Sequence, residues 1–206
     1  MIQLLTRGGY TMIPILFCSV VSLAVIIERA FSLRTGRVLS PALLQELFRS
    51  DRPLEDLAGK VEHERGVLAR VLADGLENRS AGMEQNREVL QVAGKAAASR
   101  LERGLTLLEI VAVISPLLGL LGTVIGMVQV FDVISQVGAG HAQALSRGIS
   151  QALISTIAGL VVAIPALIAH SIYSRKVDKL LAGIERAVSR LLLRLYPRGD
   201  RGGGDR

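Results

Sequence analysis

The chain has no tryptophan, and only 3% of its 206 residues are aromatic. A soluble domain of this size usually fills its core with large rings. Here the 50% of residues that are hydrophobic are mostly Leu, Val, Ile and Ala in long runs. That pattern points to lipid-facing helices rather than one globular core. Cysteine is nearly absent too: Cys18 stands alone, so an intrachain disulfide is excluded, and within an apolar run it reads as a small hydrophobe. No His/Cys/carboxylate cluster suits a metal, and no nucleophile–base pair suggests an enzyme, so neither a metal nor a cofactor is expected. The net charge is +6, but the basic residues do not interleave with aromatics. Membrane lipids with anionic headgroups are therefore the expected partner, not nucleic acid.

The apolar runs come next. The first is YTMIPILFCSVVSLAVII, residues 10–27, just long enough at about 1.5 Å per residue to cross roughly 30 Å of hydrocarbon. A signal peptide is the rival reading. No small-x-small cleavage site follows, however; Glu28, Arg29, Arg34 and Arg37 form a stop-transfer flank instead. The second run covers 107–134 and the third 149–173. Pro14, Pro116 and Pro165 lie in or near these runs, which membrane helices tolerate. Segment 28–106 is polar, and from Arg29 to Thr106 it holds 13 Lys/Arg; the tail, 174–206, holds nine more; loop 135–148 holds one. The positive-inside rule places 28–106 and 174–206 in the cytoplasm, and the N-terminus (1–9) and loop 135–148 in the periplasm.

The cytoplasmic parts read as helical. Ser40 and Pro41 are a capping serine and a first-position proline. From Glu84 to Glu109, apolar Val89, Val92, Ala96, Leu101, Leu105 and Leu108 recur at three- and four-residue spacing. That predicts one continuous helix running into the second span. The tail carries Leu180, Leu181, Ile184, Val188, Leu191 and Leu192 on one side, an amphipathic helix. Its end, PRGDRGGGDR, reads as disordered. The fold class is thus an all-α integral membrane protein, with three transmembrane helices and long cytoplasmic helical extensions.

Glycine is abundant where a stable helix would avoid it. LLGLLGTVIGMVQVF carries Gly119, Gly122 and Gly126 around Thr123. On a helical wheel, Gly119 and Gly126 fall about 40° and 60° to one side of Thr123, with Ser115 and Gly122 about 80° and 100° further round the same arc. In GISQALISTIAGLVVAIPA the arc repeats: Ala163, Ala152 and Gly159 fall about 20° to 60° from Thr156, with Gly148, Ala166 and Ser155 about 80° to 100° away. The helices run antiparallel, and both threonines lie about 25 Å from the cytoplasmic edge. In lipid, small residues let backbones approach closely. Two faces bearing hydroxyls at one depth could also line a narrow passage or clasp another helix. The glycines do not bind nucleotide, because GLLGTVIG lacks the G-x-G-x-x-G spacing and the Walker lysine. No Asp, Glu, Lys or Arg lies mid-span; Asp132 sits at the outer end and Glu28 and Glu109 at the inner edge. A proton path normally needs a titratable group, so an acid would have to come from a partner.

PLLGLLGTVIGMVQVF followed by GISQALISTIAGLVVAIPA, with IIERAFSLR after the first span, resembles the MotA/TolQ/ExbB proton-channel family, closer to its three-span ExbB/TolQ branch. The resemblance implies a homopentamer in the bacterial inner membrane whose second and third spans line a pore. In the pore would sit a dimer of a single-span ExbD/TolR-like protein carrying the essential aspartate, and proton flow would drive work on the envelope through a TonB/TolA-like protein. Thr123 and Thr156 correspond to the family's pore-lining pair, with Gly119, Gly122, Gly126, Ala152, Ser155 and Gly159 beside them. Gln151 stands where such sequences often have glutamate, and it cannot titrate. Either that carboxylate is dispensable here, or the chain is a divergent member with another output. His170 is a further candidate, as a proton exit near the cytoplasmic end, although an interfacial hydrogen bond is the favoured reading. The competing function is a non-conducting membrane scaffold for a single-span partner.

Overall fold

A computed structural model describes residues 9–49, 53–137 and 142–197. Among them the regular elements are all helical: α1 (Met12–Ser32), α2 (Thr35–Val38), α3 (Pro41–Phe48), α4 (Leu54–His63), α5 (Val67–Glu77), a 3₁₀ turn (Arg79–Ala81), α6 (Met83–Glu102), α7 (Leu105–Val137) and α8 (Ala142–Leu195). Two compact units result, one from Met1–Arg29 with Gly104–Tyr173, the other from Ala30–Arg103 with Ser174–Arg206. The α8 helix contributes to both, so the third span and the amphipathic tail helix are one element. The glycine-rich end expected to be disordered lies, beyond Pro197, outside the described residues, as do residues 1–8 of the N-terminus and 138–141 of the loop.

In the first unit, α1, α7 and α8 are each long and apolar enough to cross a membrane. Pro14 falls in the first turn of α1, where a missing N–H costs nothing. Pro116 and Pro165 lie inside α7 and α8, which continue past them. Large side chains cover the outside: Phe17 on α1, Leu120 and Val124 on α7, Ile157 and Val161 on α8 are all exposed. The inside of the bundle is small and partly polar, with Ser115, Ala152, Ser155 and Ala166 buried. At one end of these helices, Tyr173 Oη donates to the Ile26 carbonyl at 3.0 Å. There Arg29 is 6% exposed, with its guanidinium 2.9 Å from Glu28. That burial is reasonable only because the charge is paired.

The second unit is a small helical core of Leu43, Leu47, Leu57, Leu68, Leu72, Leu90 and Leu191, all with essentially no exposure. The tail part of α8 buries Val177, Leu180, Ile184, Ala187 and Leu191, a stripe spaced three and four residues apart, as an amphipathic helix requires. Three expectations are corrected here. The Ser40 hydroxyl does not cap α3; it donates to Glu64 at 2.6 Å, leaving Pro41 to start the helix. The buried side of α6 is Asn86, Leu90, Ala97 and Leu101, and Val92 is 68% exposed. Asn86 sets that register, because its amide donates to the Gly75 carbonyl (2.9 Å) and contacts Tyr196 Oη (3.2 Å).

The third correction concerns the continuous helix expected from Glu84 into the second span. It is broken between Glu102 and Leu105, where Gly104 has φ +86°. A side chain there would meet the following carbonyl. Gly104 also accepts the Leu108 N–H at 3.3 Å, so it starts α7. A Cβ on it would stand 3.0 Å from Arg29 Nε. Gly104→Ala should therefore destabilise the protein by about 1–2 kcal/mol. Gly59→Ala in α4, where an added Cβ meets nothing within 4 Å, should instead stabilise it by about 1 kcal/mol. Thermal unfolding of the two variants in detergent should move Tm in opposite directions.

Candidate functional site

The seam between α7 and α8 is built by subtraction. A Cβ on Gly119 would lie 2.9 Å from the Ser155 carbonyl oxygen and 3.0 Å from Thr156 Cα. On Gly126 it would lie 3.0 Å from Ala152 Cβ and 3.1 Å from the Gly148 carbonyl oxygen. On Gly159 it would strike the Ser115 carbonyl oxygen and lie 3.2 Å from Gly119 Cα. These obstacles are largely backbone, which cannot swing aside as a side chain can. The helices approach to main-chain contact only because their side chains are missing, and each glycine's helix penalty of about 1 kcal/mol is accepted for that approach.

Gly119, Gly122, Gly126, Ala152, Ser155 and Gly159 are all buried in this seam. Within one chain their small size serves packing between the spans. Gly122 faces both other spans: a Cβ there would lie 2.5 Å from Ser155 Cβ and 2.7 Å from Thr11 Oγ1. Thr11 is 7% exposed and donates to Ser155 Oγ at 3.4 Å, and Ser155 Oγ in turn donates to the Gln151 carbonyl at 3.1 Å. Sequence reasoning missed Thr11. As a single hydroxyl at the start of a helix it has no periodic partner, and its only signal is a polar residue flanking an apolar run.

Thr123 and Thr156 differ from their neighbours in being half-buried at the seam's edge. Their hydroxyl oxygens are 2.5 Å apart. Each also lies 3.2 Å from the Gly119 carbonyl oxygen, Thr123 within its own helix and Thr156 across the seam. One carbonyl and two hydroxyls thus form a closed triangle in an apolar stretch. Along α7 no charged residue lies between Glu109 and Asp132, and along α8 none lies between Arg147 and Arg175.

The remaining candidates stand apart from the triangle. Gln151 is half-buried and packs against Gly9, and it lines a groove with Gln129, Gln143 and Arg147. His170 is half-buried on α8, and no hydrogen bond or ion pair joins it to another described residue. Among the described residues no group of three His, Cys, Asp or Glu is placed to hold a metal ion.

Three apolar helices, each long enough to cross a membrane, with buried hydroxyls where they pack, describe an all-α membrane protein. The model of the MotA/TolQ/ExbB proton channel family matches residues 63–186, and the chain belongs to that family. This is a transport family, not an enzyme family. A biopolymer transport protein of Synechocystis sp. named ExbB-like 3 is 34% identical over 174 residues, covering 81% of either chain. A second Synechocystis protein, ExbB-like 1, is 32% identical over 84% of this chain and 71% of its own length. The biopolymer transport protein exbB1 of Vibrio cholerae is 28% identical over 91% of this chain and 85% of its own length.

The seam makes a sharp prediction. Gly159→Ala gains about 1 kcal/mol of helix propensity but forces a methyl onto the Ser115–Gly119 backbone, and overpacking of that kind costs about 1–3 kcal/mol. Steric cost should win: the variant should unfold at a lower temperature in detergent than the wild type.

Proposed function

We propose that this chain is the channel subunit of a proton-driven motor of the ExbB/TolQ kind in the bacterial inner membrane. Five copies would surround two single-span ExbD/TolR-like chains. The partner's aspartate would carry the proton, and motion would pass to a TonB- or TolA-like protein acting on the envelope. In this arrangement the N-terminus and the 135–148 loop are periplasmic, while 28–106 and 174–206 are cytoplasmic. The exposed apolar faces of the spans meet lipid, neighbouring copies and the partner. The Lys/Arg excess of the polar segments over the short loop supports that orientation.

The observation that carries the reading is the Thr123–Thr156 pair. It is a half-buried polar spot beside the buried hydroxyls of Ser155 and Thr11, and it belongs to a proton-channel family member with no acid of its own there. In hydrocarbon a polar group is kept when it pairs or serves a path. Magnitude separates the two uses. Hydrogen bonds between membrane helices average about 0.6 kcal/mol and reach about 1.7. Deleting one hydroxyl therefore leaves a fold that close packing still holds. Gln151, as an amide, would orient water or partner groups without carrying the proton itself.

The test is proton flux into vesicles holding the chain with its single-span partner. Thr156→Val removes both bonds that cross the seam, whereas Thr123→Val leaves the Thr156–Gly119 bond in place. Thr156→Val should still assemble, with a small loss of stability, yet lose coupled proton flux on the order of tenfold or more, and Thr123→Val should lose less stability than Thr156→Val. Wild-type flux with Thr156→Val would defeat the role given to that threonine, and no proton flux through the unaltered complex would defeat the motor reading. The scaffold alternative draws on the same lack of a mid-span acid. It predicts function unchanged when an uncoupler collapses the proton gradient.

A further inference from the structure

A second polar place lies at the end of the α7–α8 pair where α7 stops and α8 begins, apart from the threonine pair. Measured round α8 from Gly148 in the seam, Thr156 lies about 80° one way, while Gln151, Arg147 and Gln143 lie about 60°, 100° and 140° the other way. Measured round α7 from Gly126, Thr123 lies about 60° one way and Gln129 about 60° the other. The side away from the threonines closes into one groove of about 520 Å³, lined by Gln129, Gln143, Arg147 and Gln151 over Val130 and Val133. Two glycines shape it. A Cβ on Gly148 would strike Val130 Cγ2, so α8 seats directly on the groove floor. A Cβ on Gly9, whose φ is +72°, would strike the Gln151 amide nitrogen, so that amide rests against bare backbone.

The lining is rich in donors and holds no acid. Arginine offers only N–H groups, and each primary amide offers N–H groups besides its carbonyl. No hydrogen bond or ion pair ties these four side chains to another described residue. Asp132, the nearest acid along α7, is exposed, lies outside the lining and makes no ion pair with Arg147. The groove therefore carries a positive charge that nothing in its lining offsets, with amides around it. We propose that it is a binding site for a carboxylate, held by the Arg147 guanidinium and flanked by the amides of Gln129, Gln143 and Gln151. A guanidinium pairs with a planar carboxylate through two parallel hydrogen bonds, whereas an ammonium group would meet Arg147 with no acid to attract it. The groove is far larger than one carboxylate, since a water takes about 30 Å³. Its amides match the N–H and C=O groups of a main chain, so the occupant is an acidic residue within a peptide segment. The proposed motor is not needed for this inference; it only decides which side of the membrane the groove faces.

The test uses the full chain in nanodiscs of zwitterionic lipid, with arginine and glutamine isotope-labelled, observed by NMR near neutral pH at matched ionic strength. The probes are the capped peptide Ac-Ala-Asp-Ala-NH2, its asparagine counterpart, sodium acetate and sodium chloride. The aspartate peptide should shift the Arg147 Nε–H and the amide signals of Gln129, Gln143 and Gln151. The asparagine peptide should bind about tenfold more weakly, for want of a charge-assisted pair, and acetate about tenfold more weakly because it leaves the amides unused. Arg147→Gln should lose about the same tenfold for the aspartate peptide and nothing for the asparagine one. Arg147→Lys, which keeps the charge but not the paired donors, should keep part of the affinity. Gln129→Ala should weaken both peptides alike, since the amides meet the main chain they share. Arg147 and Gln129 are exposed, so these variants should unfold at the wild-type temperature. The proposal is overturned if both peptides bind alike to the wild type, if Arg147→Gln binds the aspartate peptide as the wild type does, if chloride produces the same shifts, or if no probe moves these signals. Acetate binding as tightly as the aspartate peptide would overturn the peptide as occupant.

Discussion

Everything in the membrane-spanning unit depends on how near α7 can come to α8. In lipid there is no hydrophobic gain in bringing two apolar helices together. Their association depends on contact area at short range, on dispersion that fades within an ångström of separation, and on a few hydrogen bonds. Gly119 and Gly159 set the limit, since each meets the opposite backbone with nothing between. The Thr156 hydroxyl reaches the Gly119 carbonyl only because the helices are that close. The polar site is thus a product of the packing, not an addition to it.

The same logic explains why the site is small and uncharged. A carboxylate mid-span would demand partners that this seam, made of backbone and hydroxyls, cannot supply. A hydroxyl can satisfy itself on a carbonyl of its own helix, as Thr123 does, and remain available to a visitor. Family membership fits this division of labour, in which the chain provides a shaped polar wall and the proposed partner provides the titrating group. Thr11 adds a second, fully buried hydroxyl link, from the first helix to Ser155. It ties α1 to the seam on the side away from the threonine pair.

Much of this was legible in the residues because helical geometry is periodic. The arcs through Gly119, Thr123 and Gly126, and through Ala152, Thr156 and Gly159, follow from about 100° per residue. The antiparallel depth argument brought the two threonines to one level, and their hydroxyls touch. Where periodicity is weak, the reading went astray. In α6 the apolar residues are mostly small, and the register was fixed by Asn86, a buried amide that no hydrophobic pattern reveals. The break at Gly104 depends on one positive φ angle, which a lone glycine permits but does not announce. The burial of the seam glycines on the same chain was the plainer of two readings. Sequence could not choose between them, because a small face serves a neighbouring helix or a passage equally well.

The central claim is that α7 and α8 of one chain turn their small faces to each other with Thr123 and Thr156 in contact. The most direct measurement is oxidative crosslinking of the double variant Thr123→Cys, Thr156→Cys in a Cys18→Ser background, in native membranes. A disulfide should form rapidly within a single chain, while the outward-facing pair Leu120→Cys, Ile157→Cys should form none within the chain. Crosslinks found only between chains, or none at the threonine positions, would contradict the account.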